Sequence, residues 1–322
     1  MKYANSILDL IGNTPLVKLN KIIPSNILIL AKLEEFNPGG SVKDRIGIKM
    51  IEQAEIEGKI KPGGTIIETT SGNTGVGLAL ACLLKGYKLI CVILDKAPKE
   101  KIHLLEVYGA KCILCPADVP PDDERSYYKT AERLSKEIAN SCMSQQYYNP
   151  INPETHYLTT GPGIWEQTDH KITHFVCGIG TGGTIYGAAK FLKEKNKDIQ
   201  VIGVDTVGSV YTDYFYKGIL PEPKPYLIDG IGEDMIPATV DFSYIDSVVQ
   251  IGDKEAYEMI IKLARQEAIL AGSSSGASIV KIAPSLPANS IVVVLLPDSG
   301  VKYLSKSNKE WFKKHNFEFP EN

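Results

Sequence analysis

The sequence predicts an α/β fold with two domains built on mostly parallel sheets. Short runs rich in β-branched residues alternate with longer segments whose apolar residues recur at helical spacing. This alternation is typical of a parallel sheet with helices on its faces. At 322 residues, 43% of them hydrophobic, the chain is long enough for two moderate cores. We therefore expect two domains, each with three layers.

The predicted strands and helices follow one another along the chain. Apolar runs predict strands at 27–34, 65–70, 88–95, 111–115, 173–179, 200–205 and 290–297. Helical patterns predict helices at 43–58, 76–86, 99–109, 125–140, 184–196 and 253–270. Several of these helices end at glycine, a common helix stop. The segment PEPKP (221–225) is expected to be a loop and not a domain linker, because core-like segments resume after it.

Charge and composition exclude several classes of partner. The net charge of -3 and the pI near 6.0 provide no basic surface for nucleic acid. No apolar run approaches the roughly 20 residues needed to cross a membrane, and the start MKYANSILDL lacks the features of a signal peptide. We therefore expect a cytoplasmic protein that binds a small anionic or zwitterionic molecule.

The cysteines and histidines do not predict a metal or disulfide site. The six cysteines are spread over apolar segments and are expected to be small buried hydrophobic residues. Cys112 and Cys115 form a C-x-x-C pair, but on a strand they would point to opposite faces. His170 and His174 flank a strand start, where we expect exposure, and no histidine has the spacing of a metal ligand.

Two segments have a glycine-rich turn between a strand and a helix, namely TIIETT-SGNTG-VGLALACLLKG and THFVCGI-GTGGT-IYGAAKFLKEK. A helix amino terminus has unpaired N–H groups and a partial positive charge, and glycine lets an anion approach them. One such turn is explained equally well by ordinary helix capping. Two in one chain favour a ligand with two anionic ends.

The second of these turns also fits a dinucleotide-binding pattern. GIGTGG (178–183) matches G-x-G-x-x-G, and Asp205 ends the next strand, where a ribose-binding acid would lie. An NAD-binding oxidoreductase is therefore an alternative hypothesis. It gives no role to the segments NPGGSVKDR and SGNTG.

Lys43 stands in the unusual segment NPGGSVKDR, residues 37–45. A lysine beside Asp44 at a helix start is commonly a solvated surface charge. A lysine that forms a Schiff base must instead be desolvated and must reach a carbonyl carbon without obstruction. The small residues 39–41 would provide space for a bulky planar partner beside Lys43.

Seven motifs in order carry a family resemblance that extends from about Ser6 to Phe312. They are ILDLIGNTPLVKLN, NPGGSVKDR, TTSGNTGVGLAL, GIGTGGTIYG, GIGEDMIP, GSSSGAS and LLPDSG. The chain resembles the pyridoxal-phosphate enzymes of the cysteine synthase and cystathionine β-synthase family, and is closest to the catalytic core of the cystathionine β-synthase branch. The resemblance implies fold type II, as in the tryptophan synthase β subunit, with the cofactor between the domains. It places the smaller domain at 44–150 and the larger at 1–43 plus 151–322, and it implies a homodimer.

The resemblance also implies roles for individual residues. Lys43 would bind pyridoxal phosphate covalently and act as the catalytic residue. The loop from Gly180 to Thr184 would bind the cofactor phosphate, Asn73 its ring hydroxyl and Ser274 its pyridine nitrogen. The implied cofactor-binding residues are thus Lys43, Asn73, Gly180, Thr181, Gly182, Gly183, Thr184 and Ser274. The implied residues for the substrate carboxylate are Thr70, Ser71, Asn73, Thr74 and Gln146, although a shift of one residue would put Gln145 in the last place.

The activity implied by the resemblance is β-replacement on a serine-type amino acid through an aminoacrylate. The branch favours serine plus homocysteine giving cystathionine, while O-acetylserine plus sulfide giving cysteine is the alternative within the family. Cysteine could also serve as a donor that releases hydrogen sulfide. Serine or threonine dehydratase activity is a further alternative. Glu233 and Asp234 stand where animal cystathionine β-synthases have a different pattern, and are either substrate contacts or a solvated loop. The chain begins and ends near this catalytic core, so neither a haem ligand nor an allosteric module is expected.

Overall fold

The computed structural model describes residues 1, 3–22, 27–70, 72–95, 97, 99–120, 122–280 and 286–320, without the side chains of residues 277 and 280. The chain divides into two compact units. The first comprises Met1–Ile11 and Asn37–Asn152, and the second comprises Gly12–Phe36 and Pro153–Asn322. These bounds differ from the predicted domains at residues 1–11, 37–43 and 151–152, which belong to the smaller unit.

The described strands are β1 (Leu16–Lys18), β2 (Leu28–Leu33), β3 (Thr65–Thr69), β4 (Lys88–Leu94), β5 (Lys111–Cys115), β6 (Ser141–Met143), β7 (His174–Gly178), β8 (Gln200–Thr206), β9 (Ser247–Ile251) and β10 (Ile291–Leu296). The described α-helices are α1 (Lys43–Ile56), α2 (Asn73–Lys85), α3 (Lys99–Val107), α4 (Tyr127–Glu137), α5 (Ile151–Leu158), α6 (Thr160–Gln167), α7 (Gly183–Lys195), α8 (Tyr211–Lys217), α9 (Asp253–Glu267), α10 (Ser273–Val280) and α11 (Lys309–Lys314).

The first unit is a three-layer α/β structure. Its sheet has the strand order β5-β4-β3-β6, and all its pairs are parallel. Adjacent residues of β3 pack on opposite faces, because successive side chains of a strand alternate. Ile66 packs in the cluster that includes residues of α1, α2 and α3, whereas Ile67 packs with Ala131 of α4.

The second unit is built on a larger sheet with the order β1-β2-β10-β7-β8-β9. Only the edge pair of β1 with β2 is antiparallel among its described pairs. Its main core joins the buried residues of β2, β8 and β10 to one face of α9, and Tyr257 of α9 contacts the aromatic rings of Trp311 and Phe312. The predicted α/β fold with mostly parallel sheets is confirmed.

The predicted elements are present with ends that lie within three residues of the expected ones. The prediction missed three short strands, β1, β6 and β9, and five helices, α5, α6, α8, α10 and α11. It gave no element to GSSSG, whose serines begin α10. It was wrong at His174, which is buried because β7 lies inside the sheet between β10 and β8.

The two cysteines of the C-x-x-C pair point to opposite faces of β5, as predicted. The Cys112 thiol faces the carbonyl of Ile102 in α3, and the Cys115 thiol lies 3.5 Å from Thr130 Oγ1 in α4. Within the described part of the chain, no three His, Cys, Asp or Glu side chains are grouped in a way that could hold a metal ion. None of the described helices has the length and apolar character needed to cross a membrane.

Candidate active site

Lys43 is the first residue of α1, and the residues around it are buried. Its side chain is partly exposed, while Asp44 is fully buried and Arg45 is 3% exposed. The Asp44 carboxylate accepts a hydrogen bond of 2.5 Å from the Gly39 N–H, which folds the preceding turn back over the helix start. Asp44 therefore holds the start of α1 from inside the unit, and Lys43 beside it has only part of its side chain in solvent.

Gly39 is small for a reason that differs from the predicted one. A Cβ atom on Gly39 would lie 2.6 Å from Asp44 Oδ1 and 2.9 Å from a methyl carbon of Leu80. The absence of a side chain at Gly39 thus allows the turn to pack against α1 and α2. Its contacts in the structure account for this glycine without a cofactor ring.

A second pair of glycines fixes the position of α1 against α2. A Cβ on Gly77 of α2 would lie 2.6 Å from the carbonyl oxygen of Lys43, and a Cβ on Gly47 of α1 would overlap the Gly77 backbone. Because close helix approach requires residues without side chains at the contact, these glycines hold the Lys43 backbone directly against the first part of α2.

The amino terminus of α2 carries the predicted carboxylate-binding residues. Gly72 is the N-cap and supplies no side-chain cap. The first turn of α2 therefore presents backbone N–H groups that can donate hydrogen bonds to a carboxylate. Thr70 Oγ1 accepts from the Gly72 N–H at 3.2 Å, and Asn73 and Thr74 begin the helix. Ser71 lies outside the described residues.

Gln146 contacts this helix terminus and Gln145 does not. Thr74 Oγ1 donates a hydrogen bond of 2.6 Å to Gln146 Oε1, and Asn152 Nδ2 donates to the Gln146 carbonyl at 2.9 Å. Gln146 is 5% exposed, whereas the side chain of Gln145 is exposed. The geometry therefore favours Gln146 over Gln145 as the glutamine of the predicted carboxylate site.

The predicted phosphate loop, residues 180–184, links β7 to α7. Helix α7 begins at Gly183, and its N-cap Gly182 has a φ of 82° and no side-chain cap. A Cβ on Gly182 would overlap Val240, and one on Gly180 would overlap the Gly230 carbonyl. Tyr211 donates to the Gly180 carbonyl at 2.6 Å, which fixes the direction of the loop backbone. A narrow turn of glycines at an uncapped helix start fits a phosphate group.

A buried histidine that the sequence analysis did not assign holds the end of this loop. His156 of α5 is fully buried, and its Nε2 lies 3.1 Å from Thr184 Oγ1. Its Nδ1 lies 2.9 Å from Thr160 Oγ1. No sequence signal indicated this role, because 28 residues separate His156 from Thr184.

Ser274 is brought near the same loop through a neighbouring segment. It lies in the first turn of α10 and is 3% exposed. A Cβ on Gly230 would lie 3.9 Å from Ser274 Oγ, and the Gly230 carbonyl in turn packs against Gly180. The Gly232 N–H donates to the Ile179 carbonyl at 2.8 Å. Segment 230–232 therefore connects the predicted contact for the pyridine nitrogen with the predicted phosphate loop.

Asp205 has an internal role. Its Oδ2 accepts from the Thr212 N–H at 2.9 Å and from Thr212 Oγ1 at 2.7 Å, and its Oδ1 accepts from the Thr206 N–H. The residue is fully buried, and burial raises the pKa of its carboxyl. Its hydrogen bonds join the end of β8 to α8, which explains Asp205 without a ribose hydroxyl.

The predicted residues thus divide between the two units. The first unit contains Lys43, Thr70, Asn73, Thr74 and Gln146, and the second contains Gly180–Thr184 and Ser274. In the first unit they gather around the start of α2, and in the second around the start of α7.

The sequence as a whole matches a family model described as "Pyridoxal-phosphate dependent enzyme" over residues 7–298. The chain belongs to this family. It is a pyridoxal-phosphate-dependent enzyme, and the phosphate loop and the buried Ser274 fit that cofactor. Family membership replaces the alternative of an NAD-binding oxidoreductase.

The relatives carry two different names at similar identity. The chain is 43% identical to cystathionine β-synthase of Apis mellifera over 98% of its own length, and it spans 64% of that relative. It is 42% identical to cysteine synthase of Staphylococcus aureus over 94% of its length and 96% of that protein. A solved structure of a hydrogen sulfide-producing enzyme from Fusobacterium nucleatum superimposes with a TM-score of 0.85 at 40% identity, covering 94% of this chain and 99% of that one. The specific substrates are therefore open, and the cytoplasmic location stays a prediction.

Proposed function

We propose that this enzyme catalyses β-replacement on a serine-type amino acid, with cystathionine β-synthase activity, serine plus homocysteine giving cystathionine, as its specific reaction. The observation that carries the first part is the pairing of Thr74 with Gln146 at the uncapped start of α2, in the same unit as Lys43. This arrangement provides fixed dipoles for an α-carboxylate close in the fold to a lysine that could remove a proton.

The cofactor, when bound, supplies an electron sink for the bonds at the substrate Cα. Lys43 would hold it covalently, and once the amino group of the substrate takes the place of the Lys43 amine, that amine would be free to act as the general base that removes the Cα proton. The N–H groups of residues 180–184 would hold the phosphate, and Asn73 would contact the ring hydroxyl. Ser274 would meet the ring nitrogen with a neutral hydroxyl, which would favour loss of a β substituent because the electron sink stays mild.

The substrate carboxylate binds at the start of α2. Thr70, Ser71, Asn73 and Thr74 supply hydroxyl, amide and backbone donors, and Gln146 is fixed beside them by Thr74. A carboxylate there interacts with the partial positive charge of the helix terminus.

Glu233 supports an amino-acid thiol as the second substrate. The Glu233 carbonyl accepts from the Val210 N–H at 3.1 Å, and the adjacent Tyr211 donates to the phosphate loop at Gly180. Burial first and then the charge of Glu233 raise the pKa of Tyr211, so its hydroxyl keeps its proton. A carboxylate in this position would repel hydrosulfide and attract the ammonium group of homocysteine.

Cysteine synthase activity is the second candidate. It is supported by the relative from Staphylococcus aureus, which this chain matches at 42% identity over nearly the whole of both proteins. Production of hydrogen sulfide is supported by the name of the similar structure from Fusobacterium nucleatum, and cysteine is the donor that we propose for it. We also propose a homodimer, on the family resemblance, which light scattering would test.

Steady-state rates test the proposal. Purified enzyme is assayed with serine or O-acetylserine, each against homocysteine and sulfide, and cysteine alone is assayed for hydrogen sulfide. We expect the highest kcat/KM for serine with homocysteine. A preference for O-acetylserine with sulfide would replace the proposal with cysteine synthase activity, and formation of pyruvate without a thiol would indicate a dehydratase.

A further inference from the structure

Glu68 is a buried acid next to the carboxylate-binding residues. It lies on β3, two residues before Thr70, and is 2% exposed. Its Oε2 accepts a hydrogen bond of 2.5 Å from Ser144 Oγ. Its carboxylate also accepts from the backbone N–H groups of Thr69, Gln145 and Gln146. The proposed reaction assigns no role to this acid.

The bonds of Glu68 hold a segment that has little regular structure. Strand β6 ends at Met143, and Gln145 has a φ of 54°, a left-handed conformation that is unfavourable for a residue with a side chain. The remaining backbone support for Ser144 comes from the Ile67 carbonyl and from Asn149 Nδ2. The Glu68 carboxylate therefore offsets the cost of this backbone conformation.

The segment that Glu68 holds ends in Gln146, whose side chain meets Thr74. A continuous series of hydrogen bonds thus runs from Glu68 through the Gln146 backbone and side chain to Thr74 at the start of α2. We propose that Glu68 is a positioning residue whose ionised carboxylate fixes Gln146 against Thr74 and so sets the affinity for the carboxylate of the amino-acid substrate. This inference rests on the proposed role of Thr74 and Gln146.

The charge state of Glu68 decides whether this series is intact. Burial raises the pKa of Glu68 to about 7, although the bonds from Ser144 and the backbone oppose the rise. All four partners are donors, so an ionised carboxylate accepts from each of them. Protonation would place an O–H donor among donors and remove an acceptor position.

The neighbouring groups that titrate do not compete with Glu68. Cys91 is its partner across the sheet on β4, and Cys82 lies nearby on α2. Burial raises the pKa of both thiols, and the charge of Glu68 adds to the rise at Cys91. Because side chains alternate along β3, Glu68 lies on the same face as Ile66, towards α1, α2 and α3, and the buried charged residues of α1 are Asp44 and Arg45. The comparison with Glu68→Gln separates the titration of Glu68 from that of these groups.

The test is the affinity for L-serine between pH 6 and 8.5, followed by the change in visible absorbance of the bound cofactor. In the native enzyme we expect an extra loss of affinity below pH 7 that levels off at about tenfold once Glu68 is fully protonated. In Glu68→Gln we expect about tenfold weaker binding at pH 8 and no such extra loss. Dividing the affinity of the native enzyme by that of Glu68→Gln at each pH removes the effect of groups that titrate in both proteins. A ratio that is constant with pH would overturn the proposal.

Ser144→Ala is the second variant. Because the Ser144 hydrogen bond lowers the pKa of Glu68, its removal should move the affinity midpoint to higher pH. This shift separates a positioning role from a merely structural one. It also tests the role of Glu68 if the variant Glu68→Gln does not fold. An unchanged midpoint would overturn the proposal.

Failure of the proposed site is recognised separately. Thr74→Val and Gln146→Ala should each weaken serine binding, while the absorbance of bound cofactor without serine stays unchanged. If neither weakens binding, the carboxylate site itself is wrong. If both do and Glu68→Gln does not, only the role of Glu68 is wrong.

Discussion

Thr74 and Gln146 are joined by a buried hydrogen bond of 2.6 Å across 72 residues of chain. One begins α2, and the other follows the last strand of the same sheet. The bond fixes a neutral amide beside the uncapped helix start, where fixed dipoles can bind a carboxylate.

We expect Thr74→Val to raise the KM for the amino-acid substrate about tenfold, because it removes the bond that orients Gln146. Thr130→Val is the matched control, since Thr130 is also buried and lies in a helix of the same unit. Both variants should lose about 1 kcal/mol of unfolding free energy. Steady-state kinetics and urea unfolding would check this, and an equal KM increase in both variants would contradict it.

Lys43→Ala should remove the covalent link to the cofactor and lower turnover about a thousandfold or more, because the general base is lost. Mass spectrometry after borohydride reduction should find a cofactor adduct on Lys43 in the native enzyme and none in the variant. Lys49→Ala, at an exposed position of the same helix paired with Glu52, should retain both adduct and turnover. Undiminished turnover in Lys43→Ala would refute the assignment.

Gly182→Ala should weaken retention of the cofactor about tenfold or more, because the residue has a φ of 82° and a Cβ would overlap Val240. Gly163→Ala in α6 is the control, since a Cβ there meets nothing within 4 Å. That change should leave cofactor binding intact and raise stability by up to about 1 kcal/mol. Equilibrium dialysis against free cofactor distinguishes the two.

Glu233→Gln should lower the preference for homocysteine over sulfide about fivefold, because it removes a negative charge that would attract an ammonium group. Glu222→Gln removes the same charge from an exposed position of the same unit and should not alter the preference. The ratio of the two kcat/KM values is the measurement. Equal ratios in native enzyme and Glu233→Gln would show that Glu233 does not select the thiol.

Glu68 should make the free energy of unfolding depend on pH in the direction opposite to the affinity for serine. Its folded pKa of about 7 lies above the ordinary value of 4.5 for this side chain, so the folded state binds the proton more tightly than the unfolded state. Its contribution to stability therefore falls as pH rises from about 4.5 through about 7, by about 3 kcal/mol. The difference in urea unfolding between native enzyme and Glu68→Gln, measured at pH 5 and pH 8, should change by this amount with that sign.

Taken together, the two expectations for Glu68 describe a trade-off. The ionised form that would position Gln146 is the form that burial disfavours. A stability difference that stayed constant between the two pH values would contradict the raised pKa, while leaving the hydrogen bonds to Ser144 and Gln146 in place.

The sequence by itself determined the α/β fold, the parallel sheets and the family. Strand and helix periodicity are local properties, and the glycine-rich turns SGNTG and GTGGT follow from what a strand-to-helix connection near an anion requires. The short elements were missed because a strand of three residues such as β1 has too few side chains to show a period. Segment GSSSG was assigned no element because its serines and glycines favour turns locally, whereas packing on α9 and β10 makes it a helix.

Only the tertiary structure decided which residues support the candidate site. Asp44 is buried by the turn at Gly39, Glu68 and Ser144 meet across 76 residues, and His156 meets Thr184 across 28. These contacts depend on how strands and helices pack, and nothing in the local pattern of charge or hydrophobicity records them. The candidate site residues could be predicted from short motifs, because backbone geometry near a ligand constrains adjacent residues. The residues that hold those motifs in place are distant in the chain and become neighbours only on folding.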